Sequence, residues 1–105
     1  MQETITIKDR LSGEAIFKST KTTLKEAVEE AVENGENLHY AELCEADLYK
    51  ASLHDADLSE TKLYKANLNG AELMNAKFYG KGGTSKLTKK QLPEFLNSLG
   101  FQVEN

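Results

Sequence analysis

Two histidines, one cysteine and a scatter of neighbouring carboxylates are the residues of this 105-residue chain whose types could do chemistry. His39 and His54 lie fifteen positions apart, with no acidic or cysteine partner at metal-ligand spacing, so neither reads as a metal ligand. Cys44 stands alone and no histidine is placed by the sequence pattern to activate it, which makes it a passive thiol rather than a nucleophile. Asp55 and Asp57 could in principle share acid and base roles, but a repetitive sequence produces such pairs without selecting them. The run Gly80-Lys81-Gly82-Gly83-Thr84 lacks the spacing of a phosphate-binding loop and reads as a linker. The expectation is a protein that is not an enzyme and takes no cofactor and no metal.

Composition narrows the remaining classes. Thirteen Lys+Arg against seventeen Asp+Glu leave a net charge of -4, which argues against affinity built on neutralising phosphates, so no direct nucleic-acid binding is expected. A single cysteine excludes an intrachain disulfide and a thiolate metal cage, consistent with a reducing compartment, and the expected location is cytoplasmic. Met1 is followed by Gln2, Glu3 and Thr4, and no apolar run approaches the length of a span, so neither a signal peptide nor a membrane segment is expected.

What must position any working side chain is a repeat of period five. Residues 41–80 read AELCE, ADLYK, ASLHD, ADLSE, TKLYK, ANLNG, AELMN, AKFYG. The first position is Ala except at Thr61, and the third is Leu except at Phe78. In an α-helix a step of five advances about 500°, so the leucines would spiral rather than form a stripe. A straight strand fails too, because an odd period sends successive leucines to opposite faces. The chain must turn once per block, with positions one and three pointing inward. Four such turns close a coil of twenty residues, which stacks Leu43 on Leu63, Leu48 on Leu68, Leu53 on Leu73 and Leu58 on Phe78.

These A(D/N/E)LXX blocks resemble the pentapeptide repeat family, with Gly35-Glu36-Asn37-Leu38-His39-Tyr40 as a degenerate lead-in. The resemblance implies a mainly β fold, a right-handed quadrilateral β-helix of about two coils. It makes Leu43, Leu48, Leu53, Leu58, Leu63, Leu68, Leu73 and Phe78 the central inward residues, and Ala41, Ala46, Ala51, Ala56, Thr61, Ala66, Ala71 and Ala76 the small inward ones. Phe78 reads as a plug for the end of the tube.

The flanking segments supply the ends of a single domain spanning 1–105. Residues 4–20 read as a hairpin, with Ile5 and Ile7 alternating in the first arm and Leu11-Ser12-Gly13-Glu14 at the turn. Thr23-Leu24-Lys25-Glu26 opens a helix over 23–34, with Leu24, Ala27, Val28, Ala31 and Val32 on one face and Asn34-Gly35 as its stop. After the coils at 36–80 and a linker at 81–87, Thr88-Lys89-Lys90-Gln91 opens a second helix, and 88–105 form helix and tail. Leu92, Phe95, Leu96 and Leu99 make its apolar face, which either caps the last coil or forms a homodimer. Phe101 and Val103 alternate with polar neighbours as a short closing strand would.

Charge is the most informative outward property. Residues 41–60 carry Glu42, Glu45, Asp47, Asp55, Asp57 and Glu60 against Lys50, a net of -5, whereas 61–80 carry Lys62, Lys65 and Lys77 against Glu72, a net of +2. A twenty-residue coil sets Glu42 beside Lys62 and Glu45 beside Lys65 as expected cross-coil ion pairs. Tyr49, Tyr64 and Tyr79 fall on different sides and make no common platform. The function expected is a non-catalytic protein-binding scaffold, with the six acidic residues as candidate contacts. The alternative, implied by the resemblance alone, is an acidic DNA mimic, phage-encoded or bacterial, that inhibits a topoisomerase, nuclease or host defence factor. Two coils of about 4.8 Å each fall well short of the roughly 34 Å of one DNA turn, which counts against that alternative.

Overall fold

In the computed structural model, residues 4–78, 87–99 and 101 are described. The chain opens with β1 (Ile5–Lys8) and β2 (Ala15–Ser19), an antiparallel hairpin, followed by α1 (Leu24–Glu33), the coiled repeats, and α2 (Gln91–Ser98). Asp9 sets the hairpin turn by accepting the Leu11 and Ser12 amides on Oδ1, while Gly13 takes a φ of 77° that a side chain would resist. α1 starts at Thr23, whose hydroxyl accepts the Glu26 amide, and ends in a Schellman motif. There Gly35 at φ 75° lets its own amide reach the Val32 carbonyl and that of Glu36 reach Ala31.

The repeats wind as a β-helix-type coil with a twenty-residue register. Parallel bridges join Glu42 to Lys62, Asp47 to Asn67, Ser52 to Glu72 and Asp57 to Lys77. Each side is too short for a regular strand, so the pairing is a series of single bridges. At each, the first-coil amide of position three donates to the second coil, as Leu43 N–H to Lys62, and at the first three the amide of position five does too, as Glu45 N–H to Tyr64. The position-two amide of the second coil donates back, as Lys62 N–H to Ala41. Leu38, Leu43, Leu48, Leu53 and Leu58 are sealed inside, each at most 1% exposed. Burial of such side chains stabilises by about 1.5–3 kcal/mol apiece. Thr61, the polar exception among the small inward residues, donates its hydroxyl to the Leu38 carbonyl.

The bend is a tight turn closed by the amide of the next block's first residue on the central residue's carbonyl, as Ala46 to Leu43 and Ala51 to Leu48. Position five takes a positive φ at Tyr40, Glu45, Lys50, Asp55, Glu60, Lys65, Gly70 and Asn75, the mark of a type II turn. Seven of these eight are not glycine, at a cost on the order of 1 kcal/mol each that the leucine core and the bridges offset. Leu38-His39-Tyr40-Ala41 forms the same turn, so the degenerate lead-in already bends as a block does, with Glu36 exposed at its first position instead of a small inward residue.

Both ends of the tube are closed from within the chain. At the N-terminal end Glu42 N–H donates to the Lys8 carbonyl and Ser52 N–H to Glu29 of α1, while Ala27, Val28 and Ala31 are buried. Arg10 ties the hairpin to the coil through the Glu60 carbonyl at 2.6 Å and carboxylate at 2.9 Å. At the C-terminal end Phe78 meets Phe95 edge to face, with centroids 5.0 Å apart, and Leu87 and Leu99 pack on the same core. Phe101 is 61% exposed and its amide reaches back to Leu96, the six-residue bond that closes a helix C-terminus; the rest of the expected closing strand lies outside the described residues. Tyr79, most of the 81–87 linker and Val103 lie outside the described residues.

Replacing Gly70 with alanine places a Cβ 3.1 Å from Lys50 Cγ in a backbone of φ 74°. The expected loss is about 1 kcal/mol in urea unfolding, with an unchanged m-value.

Candidate functional site

Outward side chains occupy positions two, four and five of each block, and many of them serve the coil itself. At position two, Asn37, Glu42, Asp47, Asp57 and Asn67 each accept the amide two residues on, those of His39, Cys44, Tyr49, Ser59 and Asn69. This satisfies an amide at those five corners, so an acceptor at position two supports the turn, although the block with Lys62 at that position makes the same turn. Part of the first coil's acidity is therefore backbone capping, a role that the block pattern carried as its D/N/E preference.

The six acidic candidates ring the tube and do not share one face. Glu42 and Glu45 lie on the side formed by 41–45, and Asp47 on the next side, 46–50. Asp55 stands at the exposed corner that ends the third side, 51–55. On the fourth side Asp57 is held by His39 Nε2 at 2.7 Å, and Glu60 is clasped by Arg10 with its side chain only 18% exposed. Asp57 and Glu60 are thus committed to this chain's own contacts.

The expectation on cross-coil charge pairs is corrected. No ion pair joins Glu42 to Lys62 or Glu45 to Lys65 among the described residues; Lys65 instead lies over the Tyr64 ring at 5.5 Å, as Lys50 lies over Tyr49 at 5.3 Å. The positive φ at position five folds the lysine back over the tyrosine that precedes it, which takes it away from the coil above. Neither histidine is left to solvent alone: His39 pairs with Asp57 and His54 with Glu72, both eighteen residues on. That offset, one coil less two residues, is a diagonal neighbour which the straight stacking register does not single out.

Electrostatic shifts follow these contacts. Burial pushes the Asp57 carboxyl up, but hydrogen bonds from Ser59 and His39 outweigh it and hold the group below its ordinary value. Glu42 is held down chiefly by its hydrogen bond with Cys44. Burial, and then the Glu42 carboxylate, push the Cys44 thiol up, so it stays protonated near neutrality. Among the described residues no group of three or more His, Cys, Asp or Glu could hold a metal ion, and no helix is long and apolar enough to cross a membrane.

Comparison with known families decides what the coil is. The family model described as pentapeptide repeats matches residues 37–64 and 51–80, with eight copies. Residues 37–80 belong to the pentapeptide repeat family. The match begins at the block that carries Leu38, in accord with its complete turn, and the twenty-residue bridges are those of a β-helix-type fold. Neither the curated proteins nor the solved structures yield a significant match to the chain.

The residues that the block pattern leaves unremarked lie at the closure of this pentapeptide coil. Gln91 Oε1 accepts the Lys65 and Thr88 amides, and Nε2 donates to the Leu63 and Ala66 carbonyls, all at 2.9 Å. The Gln91 carboxamide so takes the place of the peptide group that a third coil would supply. Ser98 adds its carbonyl to the Leu73 amide and its hydroxyl to the Leu68 carbonyl. The only sequence signal for Gln91 was the capping box with Thr88, which also forms, as Thr88 Oγ1 accepts the Gln91 amide at 3.1 Å. Of the apolar face of α2, Phe95 and Leu99 pack on the core, Leu96 is half-buried, and Leu92 points outward, 47% exposed.

Because the folded state lowers the Asp57 pKa below 3.8, its ionised form contributes stability that is fully present above that value and lost as pH falls through the folded one. Thermal melts between about pH 3 and 7 should show stability falling in the acid limb, and Asp57→Asn should make that limb shallower. An unaltered acid limb in the variant would remove Asp57 from the account.

Proposed function

We propose that the chain is a non-catalytic scaffold that captures another protein on the outside of a right-handed quadrilateral β-helix. The observation that carries this reading is the side of the tube over 46–50, whose two bounding corners carry Tyr64, in the turn stacked on Glu45 and Ala46, and Tyr49, in the turn closed by Ala51. Tyr49 and Tyr64 are exposed there, 45% and 42%, on a backbone stiffened by bridges at every block. Tyrosines held rigid on a surface give large contact area at little entropic cost and are enriched at protein interfaces. Glu42, Glu45 and Asp47 surround them, so the fitting partner presents a basic rim. Phe95 and Leu99 act as the cap of the second coil, which leaves Leu92 as the residue of that face free for a dimer contact.

Mimicry of duplex DNA is the weaker reading. The net charge changes from -5 over residues 41–60 to +2 over 61–80, whereas a phosphate-like surface is negative along its length. Asp57 and Glu60 are also drawn into internal pairs.

The triple variant Glu42→Gln, Glu45→Gln, Asp47→Asn removes charge while keeping the amide acceptors of the turns. It is expected to melt within a few degrees of the parent and to bind a protein captured by the parent about tenfold more weakly. Equal binding by both proteins would defeat the proposal. A captured DNA-handling enzyme that is displaced by duplex DNA would favour mimicry instead.

A further inference from the structure

Charge is divided along the chain more sharply than the two coils alone reveal. Residues 1–60 hold six Lys+Arg against fourteen Asp+Glu, a net of -8, and residues 61–105 hold seven against three, a net of +4. Among the described residues the fold converts this division into a spatial one. The position-two amides of Glu42 and Ser52 in the first coil face away from the second and are met by the Lys8 carbonyl and by Glu29 of α1, so the hairpin and α1 lie on one end of the tube. The position-five amide of Lys65 faces the other way and is met by Gln91, and Leu73 N–H by Ser98, so α2 lies on the opposite end.

The two end helices carry opposite outer faces. On α1, Glu26, Glu29, Glu30 and Glu33 line a shallow depression of about 150 Å³ together with Lys21. Beside α2, Lys89 and Lys90 are exposed in the turn that opens the helix, followed by exposed Leu92. The molecule is an electric dipole directed along its axis, with a helix face at each pole and complementary charge on the two.

We propose that this chain associates with a second copy of itself head to tail, the Lys89–Lys90 turn of one copy seated on the acidic outer face of α1 in the next. This surface is separate from the tyrosine-bearing side and does not rest on the partner proposed for it. A contact between unlike ends is heterologous, so each added copy leaves one acidic and one basic end free and the assembly grows in a line. The attraction is between exposed charges, and so it is weak and strongly screened by salt.

Sedimentation equilibrium of the full chain at high protein concentration tests this, in about 20 mM and about 500 mM sodium chloride, where the Debye length falls from roughly 20 Å to roughly 4 Å. The weight-average mass should exceed the 11.7 kDa of one chain in low salt and return to it in high salt. Lys89→Glu with Lys90→Glu should give monomer in low salt, as should Glu30→Lys with Glu33→Lys, and an equimolar mixture of the two variants should associate again. Circular dichroism on each variant establishes that it is folded. A monomer in low salt would overturn the proposal. So would association that strengthens with salt or survives either reversal, since like ends would then be in contact, and so would a failure of the mixture to associate.

Discussion

Backbone hydrogen bonds that run from one coil to the next, twenty residues on, are the constraint on which the rest of this structure depends. In a long solenoid most coils have neighbours on both faces, but in one of barely two coils every coil is also an end. Each amide and carbonyl that points outward along the axis needs a partner from elsewhere in the chain. The hairpin, α1 and α2 are best understood as suppliers of those partners. Lys8 and Glu29 meet the first coil, and Gln91 and Ser98 meet the second. The leucine column that the bridges enclose would otherwise be open to water at both ends.

The same economy governs the polar surface. Acids and amides at position two hold the corner amides, Glu60 anchors the hairpin through Arg10, and each histidine takes a carboxylate from the coil below. What remains for outside partners is smaller than the acidic count suggests. Among the described residues it includes Glu42, Glu45, Asp47 and Asp55, two tyrosines each covered by a lysine, and the outer faces of the end helices. The Cys44 thiol is pushed above its ordinary pKa, and each histidine is drawn into a pair with a carboxylate.

Much of the fold was legible because one physical rule, an inward side chain at positions one and three, repeats eight times and cannot be met by a helix or a straight strand. The stack of Leu58 on Phe78 follows from that rule, and the Leu58 amide does donate to Lys77. The helix signals at Thr23 and Gly35 were equally plain, since both are local. What escaped was non-local or depended on side-chain direction. The positive φ at position five is masked by Glu, Lys and Asp standing where glycine would announce a turn. That conformation in turn sends Lys65 to Tyr64 instead of to Glu45. Gln91 lies 26 residues from the Lys65 amide that it caps, and nothing in a capping-box signature reveals a second duty. The acidic candidates were found by type, but their dispersal around the tube was not read from the coil geometry.

The central claim is that closure of the coil ends, and of the C-terminal end by the Gln91 carboxamide, holds a two-coil solenoid together. Gln91→Met keeps the volume of a side chain that is 8% exposed and removes its four hydrogen bonds to Lys65, Thr88, Leu63 and Ala66. The most direct measurement is the unfolding free energy of that variant in urea, read with amide exchange at Lys65. A loss of about 3 kcal/mol with faster exchange at Lys65 is the predicted result. A change within about 0.5 kcal/mol and unchanged protection at Lys65 would contradict the account.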